Sequence, residues 1–143
     1  MNPAEPIPPR AAKIAAVLVA PLTAPGDIHS VEELCHVAPI GVAQATFRRW
    51  CNEEGISPGQ ALAFARLLRA VIFARKDRTS ASEWMEIDPR TFRRLLKRAG
   101  VVELFAGEAP TPWDFIEVQH LVLNPHVLSL VRQSLLGVER QVF

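Results

Sequence analysis

No tyrosine occurs in these 143 residues, cysteines number only two, and seven glycines are scattered with no glycine-rich loop among them. Each shortage excludes something. Cys35 and Cys51 have no further thiol partners, so a disulfide framework is not expected, and a zinc site would need histidine or carboxylate ligands. Both thiols read as small buried side chains in a reducing cytosol. Without a glycine-rich stretch there is no loop to cradle the phosphates of a nucleotide. The apolar run from Ile14 to Leu22 contains Pro21 and is too short to span a bilayer. It follows Lys13 in the manner of a weak signal peptide, but no disulfide-rich domain comes after it. The expectation is a cytoplasmic protein with no membrane partner. Charge is scarce too, at a formal net of +1.

What is present favours helices. Hydrophobic residues make up 49% of the chain and charged ones 22%, enough to bury a core. The apolar set is dominated by Ala, Leu and Val, with seven Phe and three Trp, a mixture that favours helices over sheets of β-branched strands. The charge is unevenly placed. From Arg48 to Arg98 the chain carries 12 of its 16 Lys and Arg against six acids, a local balance of +6. The flanks carry the compensating acids. A basic middle in a near-neutral chain suits an anionic polymer docking on one face.

Punctuation divides the chain. Four prolines in residues 1–9 mark a mobile tail, assigned to residues 1–10. Ile14, Val17, Leu18 and Leu22 then repeat at helical spacing, and Pro25-Gly26 breaks that helix. Ser30 with Glu33 fits a capping box ahead of Val31, Leu34 and Cys35. After Pro39 and Gly41 a helix is expected from about Gln44 to Glu54, ended by Gly55. Ser57-Pro58 starts a long apolar helix to about Arg75. Ser80 or Ser82 opens a short one, and Asp88-Pro89 opens another that Gly100 ends. Two further apolar stretches, 113–123 and 126–136, flank Asn124-Pro125. No strand-like alternation is visible, so the fold class is all-α.

The most informative feature is an internal echo. Gly41-Val42-Ala43-Gln44-Ala45-Thr46-Phe47-Arg48-Arg49-Trp50 is repeated as Glu86-Ile87-Asp88-Pro89-Arg90-Thr91-Phe92-Arg93-Arg94-Leu95. Both contain Thr-Phe-Arg-Arg, and each follows a short capped helix. This is the pattern of a helix-turn-helix, where the second helix buries one stripe and offers the opposite face to a major groove. The buried stripes would be Phe47, Trp50 and Cys51, and Phe92, Leu95 and Leu96. The candidate DNA-contacting residues are Gln44, Ala45, Arg48, Arg49 and Asn52 in the first copy, and Arg90, Arg93, Arg94 and Lys97 in the second. Arginine donates two parallel hydrogen bonds to guanine or phosphate, while Gln44 and Asn52 carry the donor–acceptor pair that suits adenine. Arg66 and Arg69 read as structural or phosphate-facing, and Trp50 and Trp84 as core.

On these residues the chain resembles the DNA-binding domain of AraC/XylS-type regulators. The resemblance runs from about residue 11 to residue 100. It is carried by Ser30-Val31-Glu32-Glu33-Leu34, by Thr46-Phe47-Arg48-Arg49, by Gly55-Ile56-Ser57-Pro58 and by Ala65-Arg66-Leu67-Leu68-Arg69-Ala70. It implies two helix-turn-helix subdomains, residues 11–57 and 77–100, joined by a connecting helix over 58–76. It also implies binding of double-stranded DNA in successive major grooves, as in bacterial transcription regulation. Glu86 stands where a glycine usually makes the second turn, at some cost in strain.

Residues 101–143 lie outside the resemblance and read as a C-terminal helical extension. Its expected role is to support a homodimer or bind a protein partner, unless it packs back near Ile14 and Val17. The alternative to DNA binding is a helical adaptor whose arginines face an acidic protein, with a degenerate helix-turn-helix. A third possibility is that the extension covers the DNA face. His29, His36, His120 and His126 show no metal-ligand spacing with the cysteines. No acid, oxyanion donor or nucleophile turn accompanies a Cys–His pair. Neither an enzyme, a metal nor a cofactor is expected.

Overall fold

The computed structural model describes residues 9–24, 26–37, 41–106, 109–119 and 123–142. Among these there is no strand, and the regular elements are eight α-helices and one 3-10 turn. Helix α1 (Pro9–Val19) passes into the 3-10 turn Ala20–Thr23. Then come α2 (Val31–Val37), α3 (Gln44–Glu53), α4 (Pro58–Lys76), α5 (Ala81–Met85), α6 (Pro89–Ala99), α7 (Pro112–Glu117) and α8 (Pro125–Val142). The proline-rich tail lies outside the described residues up to residue 8. Its last two members, Pro9 and Arg10, already belong to α1, where proline fits the first turn because its missing N–H costs nothing.

Local chemistry explains most boundaries. Helix α1 stops before the expected Leu22 because Pro21 has no N–H to give the carbonyl of Val17. The expected break at Pro25 lies outside the described residues. Ser57, Ser80, Asp88 and Thr111 each accept a backbone N–H three residues on, from Gln60, Glu83, Thr91 and Asp114. The expected box at α2 is altered. Ser30 Oγ accepts from Glu33 N at 3.1 Å, but the Glu33 carboxylate takes the N–H of His29 at 2.8 Å instead of that of Ser30. Gly55 and Gly100, at φ +70° and +69°, end α3 and α6 in the left-handed region that spares a side chain. Glu86 closes α5 in the same region, at φ 56° and ψ 41°, without glycine's freedom.

Helix α4 is the axis of the molecule. Eleven of its residues are buried, on every side of the helix, from Ala61 through Phe64, Leu67, Leu68 and Ile72 to Ala74. An all-round apolar helix must be covered all round, and α4 packs against α1, α2, α3, α5, α6 and α7. Its chain direction departs from that of α3 by 101° across the Gly55 turn.

The extension belongs to the same core. Phe115 stacks on Phe64 of α4 with ring centroids 5.5 Å apart, and Val127, Val131 and Leu135 are fully buried. Helix α8 lies along α1, the most extensive helix pairing in the molecule. Of the two arrangements foreseen for residues 101–143, packing back on α1 is the one observed. Residues His120, Leu121 and Val122 of the expected first tail stretch lie outside the described residues. One continuous cluster of buried side chains runs from Ala11 to Leu135. No single helix among the described residues is long and apolar enough to cross a membrane.

Candidate nucleic-acid interface

Helix α3 is held from below by Phe47 and Cys51, both fully buried one turn apart. The turn before it is closed by Val42 N donating to Cys35 O at 3.2 Å; Pro39, expected in that turn, lies outside the described residues. With Phe47 and Cys51 inward, the other face looks out: Ala43, Ala45, Arg48, Arg49 and Asn52 are exposed and Gln44 is half-buried. Gln44 does more than face solvent. With its amide oriented to satisfy both groups, its oxygen accepts from Arg48 Nε at 3.1 Å and Nη2 at 2.9 Å. Trp50, expected in the core, is only half-buried. It lies at the edge of the stripe, with the Lys13 ammonium 5.3 Å from its ring centre.

The thiols beneath α3 are protonated and inert. Burial raises Cys35 above its ordinary range, against a smaller opposing pull from Arg48. Cys51 is pushed up to about 12, first by burial and then by the neighbouring Cys35, again opposed by Arg48.

Helix α6 begins at Asp88, whose carboxylate accepts from Thr91 N at 2.9 Å and Thr91 Oγ1 at 2.8 Å. These bonds hold the Asp88 carboxyl below its ordinary range, since they favour the charged form. Leu95, Leu96 and Ala99 are buried against the core. Phe92, expected with them, is half-buried and meets Phe105 edge-on at 5.6 Å. Asp88, Pro89, Arg90, Arg93, Arg94, Lys97 and Arg98 are all exposed.

This basic face works against its own helix. Arg90–Arg94, Arg93–Lys97 and Arg94–Arg98 are like charges one turn apart, each costing a few tenths of a kcal/mol and together about 1 kcal/mol. Lys97 and Arg98 recover part of this because cations are favoured in a helix's last turn. Arg90, Arg93 and Arg94 have no such compensation. Among the described residues, no carboxylate lies within ion-pair distance of them, nor of Arg48 or Arg49. The fold gives no reason for this charge; an anionic partner would.

Other arginines are fully accounted for inside the protein. Arg66 pairs with Asp27 at 2.9 Å. Arg69 is buried and donates to the carbonyls of Pro21 at 2.9 Å and Ala24 at 3.1 Å. Its guanidinium also lies over the rings of Trp84, at 4.8 Å, and Phe73, at 5.5 Å. Desolvation lowers its pKa, and Asp27 acts the other way. Trp84, expected in the core, is half-buried. Helix α5 is a single short turn whose buried stripe is Ala81 and Met85, so the indole stacks on Phe73 and donates to Asp77 at 3.1 Å.

No family model, curated protein or solved structure matches this chain. The functional reading therefore rests on the residues and their geometry.

The structure groups the nine sequence-predicted contact residues into two sets, five on α3 and four on α6, with both helices packed on α4. It adds a joint that the sequence reading did not contain. Arg10 of α1 donates to Glu54 at 3.1 Å, just past α3, and approaches Glu53 at 3.8 Å. From the other side Asn124 Nδ2 donates to the Glu54 carbonyl at 3.0 Å, while Asn124 Oδ1 caps α8 by accepting from Val127 N. The end of α3 is thus held by both α1 and α8. Among the described residues, no three His, Cys, Asp or Glu side chains gather to hold a metal.

Proposed function

We propose that this protein binds double-stranded DNA through α3 and α6, acting as a transcription regulator of the AraC/XylS-like type. Helices α2 and α3 would form one helix-turn-helix and α5 and α6 the other, with α4 as the connecting helix. The observation that carries this reading is the unpaired basic face of α6, Arg90, Arg93, Arg94 and Lys97, repeated more sparsely on α3 by Arg48 and Arg49. Repulsion within α6 destabilises the isolated protein, and phosphate oxygens would turn that repulsion into attraction. Asn52 and Ala45 on the same face of α3 offer contacts to base edges and to the thymine methyl. Gln44 supports the reading as the group that orients the Arg48 fork.

The test is a salt titration of binding to duplex DNA. The logarithm of affinity should fall with the logarithm of salt at a slope of about −0.9 per neutralised phosphate. Four to six contacts would give a slope of roughly −4 to −5. Binding that ignores salt, or no binding at low salt, would remove this reading and favour the adaptor that docks an acidic protein.

A further inference from the structure

We propose that the cleft between α4, α5 and α6 is a binding site for a small carboxylate with a compact apolar body. The cleft encloses about 270 Å3. Its floor is Val71 near the end of α4, its walls are Ser82 of α5 and Phe92 of α6, and Phe105 and Pro110 close the remaining side. Val71 and Pro110 are buried, and the two phenylalanines are half-buried, each turning part of its ring to the open space. A close-packed interior leaves few voids of this size. At about 30 Å3 per water the space matches a ligand of about ten non-hydrogen atoms.

The rim specifies charge. Arg75 lines the cleft from the last turn of α4 and is exposed, and no carboxylate among the described residues lies within ion-pair distance of it. Nearby polar groups are already committed in part. Thr79 Oγ1 donates to Glu83 at 2.7 Å, and Ser80 Oγ accepts from Glu83 N as the cap of α5. Ser82 Oγ lies 3.4 Å from Ser80 Oγ, which leaves further hydrogen-bonding capacity on its hydroxyl. One guanidinium fork beside one hydroxyl matches a single carboxylate, which takes two parallel hydrogen bonds from arginine. The wide-set faces of Phe92 and Phe105, perpendicular to each other at 82°, suit an apolar or aromatic body. Such a lining, mostly apolar with a few convergent polar groups, is what a small-molecule site requires.

The site is tested on the full chain without DNA, so its outcome is separate from that of the DNA reading. Phenylacetate is titrated while amide shifts are followed by two-dimensional NMR. Saturable shifts are expected at Thr79–Ser82, Phe92 and Phe105, with a dissociation constant in the low-millimolar range or tighter. Phenylacetamide, of the same shape without the charge, should bind at least tenfold more weakly. Arg75→Gln, at an exposed position, should weaken phenylacetate at least tenfold and leave phenylacetamide unchanged. Absence of saturable shifts would overturn the proposal. So would shifts confined to the arginines of α3 and α6, or equal affinity for acid and amide. The amide comparison uses the unaltered protein and stands even if the variant misfolds.

Discussion

Gln44 and Arg48 are joined across one turn of α3 by two hydrogen bonds, from Nε and Nη2 of the guanidinium to a single amide oxygen. This leaves the Nη1 side of the arginine pointing outward in a fixed orientation. If Arg48 contacts DNA, Arg48→Ala should weaken binding at a preferred site by about 1–3 kcal/mol. Gln44→Ala should cost less, and the double variant should fall short of the sum. A double-mutant cycle measured by fluorescence anisotropy should give a coupling of about 0.5 kcal/mol or more. Strict additivity would show that Gln44 does not act through Arg48.

The arginines of α6 separate base reading from phosphate clamping. Arg94→Ala should cost about 1–3 kcal/mol on a selected duplex and less on random sequence if its fork meets a guanine. Equal losses on both duplexes would make it a phosphate contact. In the absence of DNA the same substitution removes two like-charge pairs, so the unfolding midpoint of the protein should hold or rise slightly.

Arg69 tests what stabilises the junction of α4 with the turn after α1. Arg69→Met leaves the Pro21 and Ala24 carbonyls without their buried donor, and should lower stability by about 2–4 kcal/mol in urea denaturation. Arg69→Lys should rescue little, because a single ammonium cannot span both carbonyls and stack on Trp84. DNA affinity measured where the variant remains folded should change little.

Removal of residues 101–143 should destroy the fold rather than change only its assembly. Without them Phe64 loses the stacked Phe115 ring and α1 loses α8. Truncation after Gly100 is expected to give an insoluble chain or one lacking cooperative unfolding by circular dichroism. The milder Phe115→Ala should cost about 3–5 kcal/mol while leaving the protein soluble. A truncated chain that unfolds cooperatively at the original midpoint would contradict this.

The buried thiols set an alkaline limit. Cys51 titrates at about 12 in the fold against a model value of 9.0, so the unfolded chain releases its proton first as pH rises. The stability this contributes is complete below about pH 9 and is lost progressively up to about pH 12. Urea midpoints should fall across that window in the wild type and less steeply in Cys51→Ala, after allowance for its lost packing. At neutral pH neither thiol should react with iodoacetamide until the protein unfolds.

The sequence carried the local features well. Ser57, Ser80 and Asp88 were legible as caps because cap and recipient lie three residues apart, and the inward Phe47 and outward Arg48 and Arg49 follow from helical periodicity alone. Long-range partners were not legible. Arg69 meets carbonyls 48 and 45 positions away, and Asn124 meets one 70 positions away. Nothing in the neighbouring residues marks such pairs. Trp84 and Phe92 were placed too deep because periodicity gives the inward direction of a side chain but not how thick the cover above it is. The extension kept two arrangements open for the same reason: an apolar helix face announces that it needs a partner, not whether the partner is its own chain.

Asn124 has a mechanical consequence. One amide side chain caps the start of α8 with its oxygen and grips the carbonyl just past the end of α3 with its nitrogen. The C-terminal helix is therefore a lever whose fulcrum sits against the first basic helix. Any load that pries α8 away from α1 also tugs on the far end of α3, some 70 residues back along the chain. A fusion, clip or tether attached beyond α8 would transmit its pull to Arg48 and Arg49 without touching the surface that carries them.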